Sequence, residues 1–171
     1  MMIAFEGPDR CGKSEISSEL ARRLGHAYFK NTDEWSTDLR TPEYFKNLLV
    51  YGGTFLTTFL EQVKPNVIMD RYYPSEWVYS RVFGRDSNED VLRKIDSKFS
   101  EAGGQIIICR RKSYKGIKDD LHDYVDSDML KKLDEQYENF SKWTSCKTFV
   151  LNVDDEDLER EIRDIRSWLN L

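Results

Sequence analysis

Residues Ile3 to Ser14 read IAFEGPDRCGKS, and this stretch decides the fold. An apolar run, Ile3-Ala4-Phe5, leads into Gly7-Pro8-Asp9-Arg10-Cys11-Gly12-Lys13-Ser14. That matches G-x-x-x-x-G-K-[ST], the pattern of a phosphate-binding loop set between a strand and a helix. The glycines let backbone N–H groups turn inward around phosphate oxygens. Lys13 would reach the β- and γ-phosphates of ATP, and the Ser14 hydroxyl would ligate Mg²⁺. The helix that follows points the positive end of its dipole at the same phosphates. Gly7, Pro8, Asp9, Arg10, Cys11, Gly12, Lys13 and Ser14 are therefore the expected ATP-binding loop.

Outward from the loop, apolar residues alternate between helical and strand spacing. Ile16, Leu20 and Leu24 share one helical face, and Gly25 ends that helix. Ala27-Tyr28-Phe29 reads as a short strand, followed by the polar loop Lys30-Asn31-Thr32-Asp33-Glu34-Trp35. Pro42 to Val63 is helical, with a break expected at Gly52-Gly53. Val67-Ile68-Met69 is a buried strand ending in Asp70-Arg71, and Ser75 to Phe83 a helix. Ser87 and Asp90 have capping-box spacing ahead of a helix carrying Val91, Ile95 and Phe99, which Gly103-Gly104 closes. Ile106 to Cys109 is the next strand, and a charged segment follows from Arg110 to Asp120. Leu130, Leu133, Tyr137 and Phe140 mark a helix, Phe149-Val150-Leu151 a last strand, and Leu158, Ile162, Ile165 and Leu169 a last helix, with Asp154 its expected N-cap. Strands that are short continuous apolar runs alternating with helices indicate a parallel sheet buried on both faces. The expectation is one α/β domain over residues 1–171.

The totals agree. A chain of 171 residues fits one domain, and 39% hydrophobic with 13% aromatic residues supplies a core. No apolar run is long enough to span a bilayer, and the N-terminus MMIAFEGPDR shows no basic region or cleavage site, so no membrane association and no signal peptide are expected. Cys11, Cys109 and Cys146 are odd in number and lack metal spacing; they read as reduced thiols of a cytoplasmic protein. Two histidines, His26 and His122, make a His-built zinc site improbable. A net charge of −5 disfavours a nucleic-acid polymer as partner but allows small anionic nucleotides held by local cations.

Phosphoryl transfer needs cations on the donor phosphates, a metal and an acceptor site. Lys13 and Ser14 serve the donor. Arg10 could lie over the transferring group as an arginine finger in cis, or be a solvated loop residue. Asp70, at the end of a buried strand, could hold Mg²⁺ directly or through water, or act as a cap or a partner for Arg71; the metal reading is favoured because a carboxylate there has a defined task. Arg10, Lys13 and Asp70 are thus the catalytic candidates, and Ser14 and Asp70 the metal ligands. Arg71 can form a bidentate fork with phosphate oxygens. Arg110 and Arg111, at a strand end, are expected to face ATP. The segment 110–126, with Lys115 and Lys118, is either a solvated face or a lid whose closure excludes water from the transferring phosphate.

These residues resemble the thymidylate kinase family of nucleoside monophosphate kinases. FEGPDRCGKS resembles that family's first motif, including the Asp-Arg pair of its eukaryotic-type members, and DRYYPSEWVYS (Asp70–Ser80) its second. The resemblance implies a five-stranded parallel sheet with helices on both faces and a lid segment, and ATP- and Mg²⁺-dependent phosphorylation of dTMP to dTDP in nucleotide biosynthesis. It implies that Arg10 is the catalytic arginine, that Asp9 holds the acceptor's 3′-hydroxyl, that Asp70 serves the Mg²⁺ site, and that Arg71 binds the acceptor phosphate. Ser75 and Tyr79 fall in the second motif and join the acceptor set. The sequence departs from the family in two places. No Arg occurs between Arg40 and Arg71, where the family carries a base-reading Arg; Tyr51 or Phe55 could stack on a base and Thr57, Thr58 or Gln62 could bond to it, or all could be packed helix residues. Lys30 stands where the family has an Arg-containing segment, offering a point charge without the fork.

Three other classes use the same loop. A deoxynucleoside kinase phosphorylates a 5′-hydroxyl and needs a general base, for which Asp33 and Glu34 are candidates. A nucleotide-dependent switch needs no acceptor. A polynucleotide 5′-kinase is disfavoured by the acidic balance. A homodimer is compatible with the sequence.

Overall fold

The computed structural model describes residues 1–31, 48–115 and 126–171. Asp33, Glu34, Lys118 and the side chain of Tyr51 lie outside the described residues, as does most of the expected lid.

The chain alternates as expected. Strand β1 (Met2–Glu6) is followed by α1 (Lys13–Leu24), β2 (Ala27–Lys30), α2 (Leu48–Val63), β3 (Val67–Asp70), α3 (Tyr73–Val82) and α4 (Glu89–Glu101). Then come β4 (Gly104–Arg110), α5 (Ser127–Trp143), β5 (Lys147–Asn152) and α6 (Leu158–Leu169). The five strands form one sheet in the order β2-β3-β1-β4-β5, and every pairing is parallel. The strand carrying the phosphate loop is therefore central. Phe5 pairs with Asp70 on one side and with Ile107 on the other, while Asp70 also pairs with Lys30. This register brings the carboxyl ends of four strands to one edge of the sheet.

Alternation along β1 feeds two cores. Met2 and Ala4 join Met69, Ile106 and Ile108 against Leu60, Trp77, Val78, Ile95, Phe99, Leu133 and Phe140 of α2 to α5. Ile3 and Phe5 join Ile68, Ile107, Cys109 and Leu151 against Ile16 and Leu20 of α1 and Ile162 and Ile165 of α6. Each buried aliphatic side chain of this kind contributes about 1.5–3 kcal/mol. The alternation also aims Glu6 toward the α3–α5 face and Asp70 toward α1.

Three local expectations are corrected. Helix α2 runs unbroken through Gly52 and Gly53. A Cβ on Gly53 would lie 3.2 Å from Ile95 Cδ1, so this glycine permits close packing of α2 on α4. Asn88, not Ser87, caps α4, accepting from the Val91 N–H at 3.1 Å. Asp157, not Asp154, caps α6, accepting from the Arg160 N–H at 3.0 Å, while Asp154 accepts from the Lys112 N–H at 2.9 Å.

Candidate active site

A cleft of about 460 Å³ opens at the carboxyl edge of the sheet, lined among others by Asp9, Arg10, Lys13, Ser14, Asp70 and Arg71. Cys11, Gly12, Lys30 and Asn31 complete much of its wall. The loop after β1, the end of β2 and the end of β3 thus converge on one space.

At the loop end of the cleft, Gly12 adopts a left-handed φ of 66° and serves as N-cap of α1 with no side-chain cap. The N–H groups of Lys13 and Ser14 at the start of this helix, together with its dipole, suit a phosphate. Lys13 is buried and donates to the Pro8 carbonyl at 2.5 Å, which folds its side chain back over the loop. Burial, and then the neighbouring Arg71, push its pKa down. Ser14 Oγ donates to Asp70 Oδ2 at 2.5 Å. Tyr28 donates to the same oxygen at 3.2 Å, and Lys30 Nζ stands 4.0 Å from it. A hydroxyl and a buried carboxylate are hard oxygen donors, and Ser14 and Asp70 would suit Mg²⁺ here.

Across the cleft, Arg71 takes a left-handed backbone, φ 68°, just past β3. Its N–H still donates to the Phe5 carbonyl at 2.9 Å. Its Nη1 donates to Ser75 Oγ at 3.0 Å, and its Nη2 to Tyr79 Oη at 3.1 Å and to Asp9 Oδ1. Tyr79 Oη in turn donates to Asp9 Oδ2 at 2.8 Å. Asp9, Arg71 and Tyr79 therefore form a closed triangle, backed by Ser75. Burial and the adjacent Asp9 keep the Tyr79 phenol protonated, raising its pKa against the opposing pull of Arg71.

Sequence reading missed Glu6, the last residue of β1. It is wholly buried, and its carboxylate accepts from the Tyr72 N–H at 2.6 Å, Ser75 Oγ at 2.7 Å and Tyr137 Oη at 3.1 Å. It stands at the N-terminus of α3, a helix whose cap Tyr72 offers no side-chain bond. Burial outweighs Arg71 and these donors and pushes its pKa up to about 7. The signal was present: a Glu ending an otherwise apolar strand, one residue before the loop.

The remaining candidates sit elsewhere. Arg110 turns toward α5, donating to Asp134 at 3.0 and 2.5 Å and to Glu138 at 3.3 Å. Arg111 donates to the Arg10 carbonyl at 3.1 Å and to Glu156 at 2.7 Å, so it touches the loop through the backbone. Phe55 is 77% exposed on α2. Thr57 is buried, donating to the Gly53 carbonyl at 2.5 Å and meeting the Tyr72 hydroxyl, while Thr58 donates to the Thr54 carbonyl at 3.0 Å. Among the described residues, no helix is long and apolar enough to cross a membrane.

The strand order and the loop define the P-loop kinase fold, and comparison with solved structures agrees. The YorR protein of Bacillus subtilis, solved in complex with phosphorylated GDP, superposes with a TM-score of 0.76 at 20% identity, over all of this chain and 96% of that one. Deoxyadenosine kinase from M. mycoides with bound dATP gives 0.63 at 25% identity over both whole chains. Thymidylate kinase from Candida albicans gives 0.63 at 15% identity, over 99% of this chain and 90% of that one. No protein-family profile matches the sequence, and no curated protein matches it. The structural neighbours thus include kinases of a nucleoside and of a nucleotide.

Proposed function

We propose that the protein transfers the γ-phosphoryl group of ATP to a deoxynucleoside monophosphate, dTMP foremost, giving dTDP. The observation that carries this reading is a second buried cation in the donor cleft. Arg71 lies across from the Lys13–Ser14 end of the loop, held by Asp9 and Tyr79. A monophosphate attacks through an oxygen that is already anionic, so its site needs cations rather than a base.

In this reading the loop amides and Lys13 hold the donor phosphates. Ser14 and Asp70 would hold Mg²⁺, which supplies charge neutralisation between the phosphates. Arg71 receives the acceptor phosphate, exchanging Asp9 for it, and the released Asp9 carboxylate accepts from the sugar 3′-hydroxyl. Arg10, exposed at the loop tip, closes over the transferring group, where its charge acts most strongly in the transition state. Lys30, near Asp70, adds a point charge at the acceptor's side.

A second reading, phosphorylation of a deoxynucleoside 5′-hydroxyl, is favoured by Glu6. A carboxyl with a pKa near 7 beside the loop is suited to accept a proton at neutral pH. The likeness to a deoxyadenosine kinase supports the same reading. Against it, the Glu6 oxygens are engaged by Tyr72, Ser75 and Tyr137, so a substrate hydroxyl would have to displace one of these donors.

The deciding experiment is an ADP-release assay with ATP and Mg²⁺ over dTMP, dUMP, dCMP, dGMP, dAMP and the matching nucleosides. Turnover with dTMP alone supports the first reading in full, and turnover with several monophosphates supports it with a looser base pocket. Turnover with nucleosides alone overturns it in favour of the second. Binding of ATP with no turnover of any acceptor would leave a nucleotide-dependent switch.

A further inference from the structure

A second polar cluster lies on the opposite flank of β1 from Arg71, where β4 leaves the sheet. Its centre is Tyr114, which is 5% exposed. The Tyr114 hydroxyl donates to Asp134 Oδ1 at 2.9 Å and accepts from the Arg111 N–H at 3.3 Å. It also lies 3.5 Å from Sγ of Cys11, a phosphate-loop residue with no exposure. A phenol has one proton, and Tyr114 donates it in the hydrogen bond to Asp134, so the Cys11 thiol is the donor in the third contact. Asp134 is fixed in turn by the two-pronged contact from Arg110. One hydroxyl therefore joins the loop, the exit of β4 and helix α5.

The same flank grips the residue before Cys11. Arg111 Nε donates to the Arg10 carbonyl at 3.1 Å. Arg10 holds a left-handed φ of 63°, a conformation a non-glycine residue keeps only when its surroundings enforce it. Cys11 is anchored by Tyr114, and the Arg10 carbonyl by the side chain of the residue whose N–H Tyr114 accepts. These two anchors hold the backbone of the loop at Arg10 and Cys11.

We propose that Tyr114 is a positioning residue of the phosphate loop, holding Cys11 and, through Arg111, the left-handed turn that aims Arg10. The kinetic part of this inference rests on the phosphotransferase reading; the binding part does not.

The test is Tyr114→Phe, which keeps the ring and removes the hydroxyl, measured alone and combined with Arg10→Ala. Affinity for a non-hydrolysable ATP analogue is expected to fall about three- to tenfold, because the loop amides no longer hold one arrangement. The kcat is expected to fall about tenfold with the acceptor KM unchanged, and this loss is expected to disappear in the Arg10→Ala background, since residues acting through one another are not additive. An equal kcat loss in both backgrounds, or wild-type affinity and kcat in Tyr114→Phe, overturns the proposal. Asp134→Asn keeps an acceptor for the phenol while discharging the partner of Arg110, and is expected to bind the analogue as wild type does. If it instead matches Tyr114→Phe, the Arg110 ion pair is what holds the loop and the proposal fails. If the wild type binds the analogue but phosphorylates no acceptor, the functional reading fails, and the analogue affinities alone decide the role of Tyr114.

Discussion

Gly7 lies against Cys109 so closely that a Cβ on it would stand 2.3 Å from the Cys109 carbonyl oxygen. The obstacle is backbone of the neighbouring strand, which cannot rotate aside. Gly7 also has φ 137°, in a region an L side chain rarely adopts. The first turn of the loop is therefore pressed onto β4, and the phosphate cradle inherits its position from the centre of the sheet. Gly7→Ala is expected to cost about 1–3 kcal/mol of stability and to abolish ATP-analogue binding in the fraction that folds. Urea unfolding with calorimetric titration checks this; wild-type affinity in the variant would show that the close approach does not set the loop.

Lys13→Ala is expected to lower turnover about 10²-fold or more while leaving the circular dichroism spectrum unchanged. Lys13 contacts the protein chiefly through the Pro8 carbonyl, an oxygen that a water can satisfy once the ammonium is gone. Near-normal turnover in a folded variant would sink the assignment of the loop.

Arg71→Lys separates the two acceptor readings. The substitution keeps a charge and loses the fork that reaches Ser75, Tyr79 and Asp9 together. For a monophosphate the acceptor KM is expected to rise about tenfold with the ATP KM unchanged. An unchanged KM for every monophosphate would remove Arg71 from the acceptor site.

Glu6 makes stability depend on pH. Its value of about 7 in the folded chain lies above the 4.5 of an exposed carboxyl, so the native state binds the proton more tightly. Its contribution is complete below about pH 4.5 and is lost as pH rises through about 7. The difference corresponds to a term on the order of 3 kcal/mol. Denaturation measured from about pH 5 to pH 8 is expected to show a steeper fall for wild type than for Glu6→Gln. Parallel curves would mean that the carboxyl is ionised throughout.

The centre of the fold was legible because its signals are local. Ile3 to Ser14 contains a strand, a loop and a helix start within twelve residues, and Asp70-Arg71 closes an equally compact strand. What escaped was long-range or tertiary. Glu6 meets Tyr137 across 131 positions and Tyr114 meets Cys11 across 103, and no spacing rule connects them. The break expected at Gly52-Gly53 rests on a propensity cost of about 1 kcal/mol per glycine, which packing of α2 against Ile95 outweighs. At α4 and α6 several capping residues stood close together, and the register of the first turn chose Asn88 and Asp157. Arg110 reads from sequence as a ligand-facing cation because it ends a strand, yet its charge is met by Asp134 and Glu138 from a helix that begins 17 residues later.

The central place of β1 has a consequence for how the protein is made. Strand β1 is made before both of its partners: β3 ends at Asp70 and β4 at Arg110. Until β4 emerges, Ile3 and Phe5 have one flank uncovered and Gly7 has no Cys109 carbonyl to rest on. Nucleotide cannot select the native fold until β4 has been made, and until then β1 is a segment that a cell must shield from premature strand pairing.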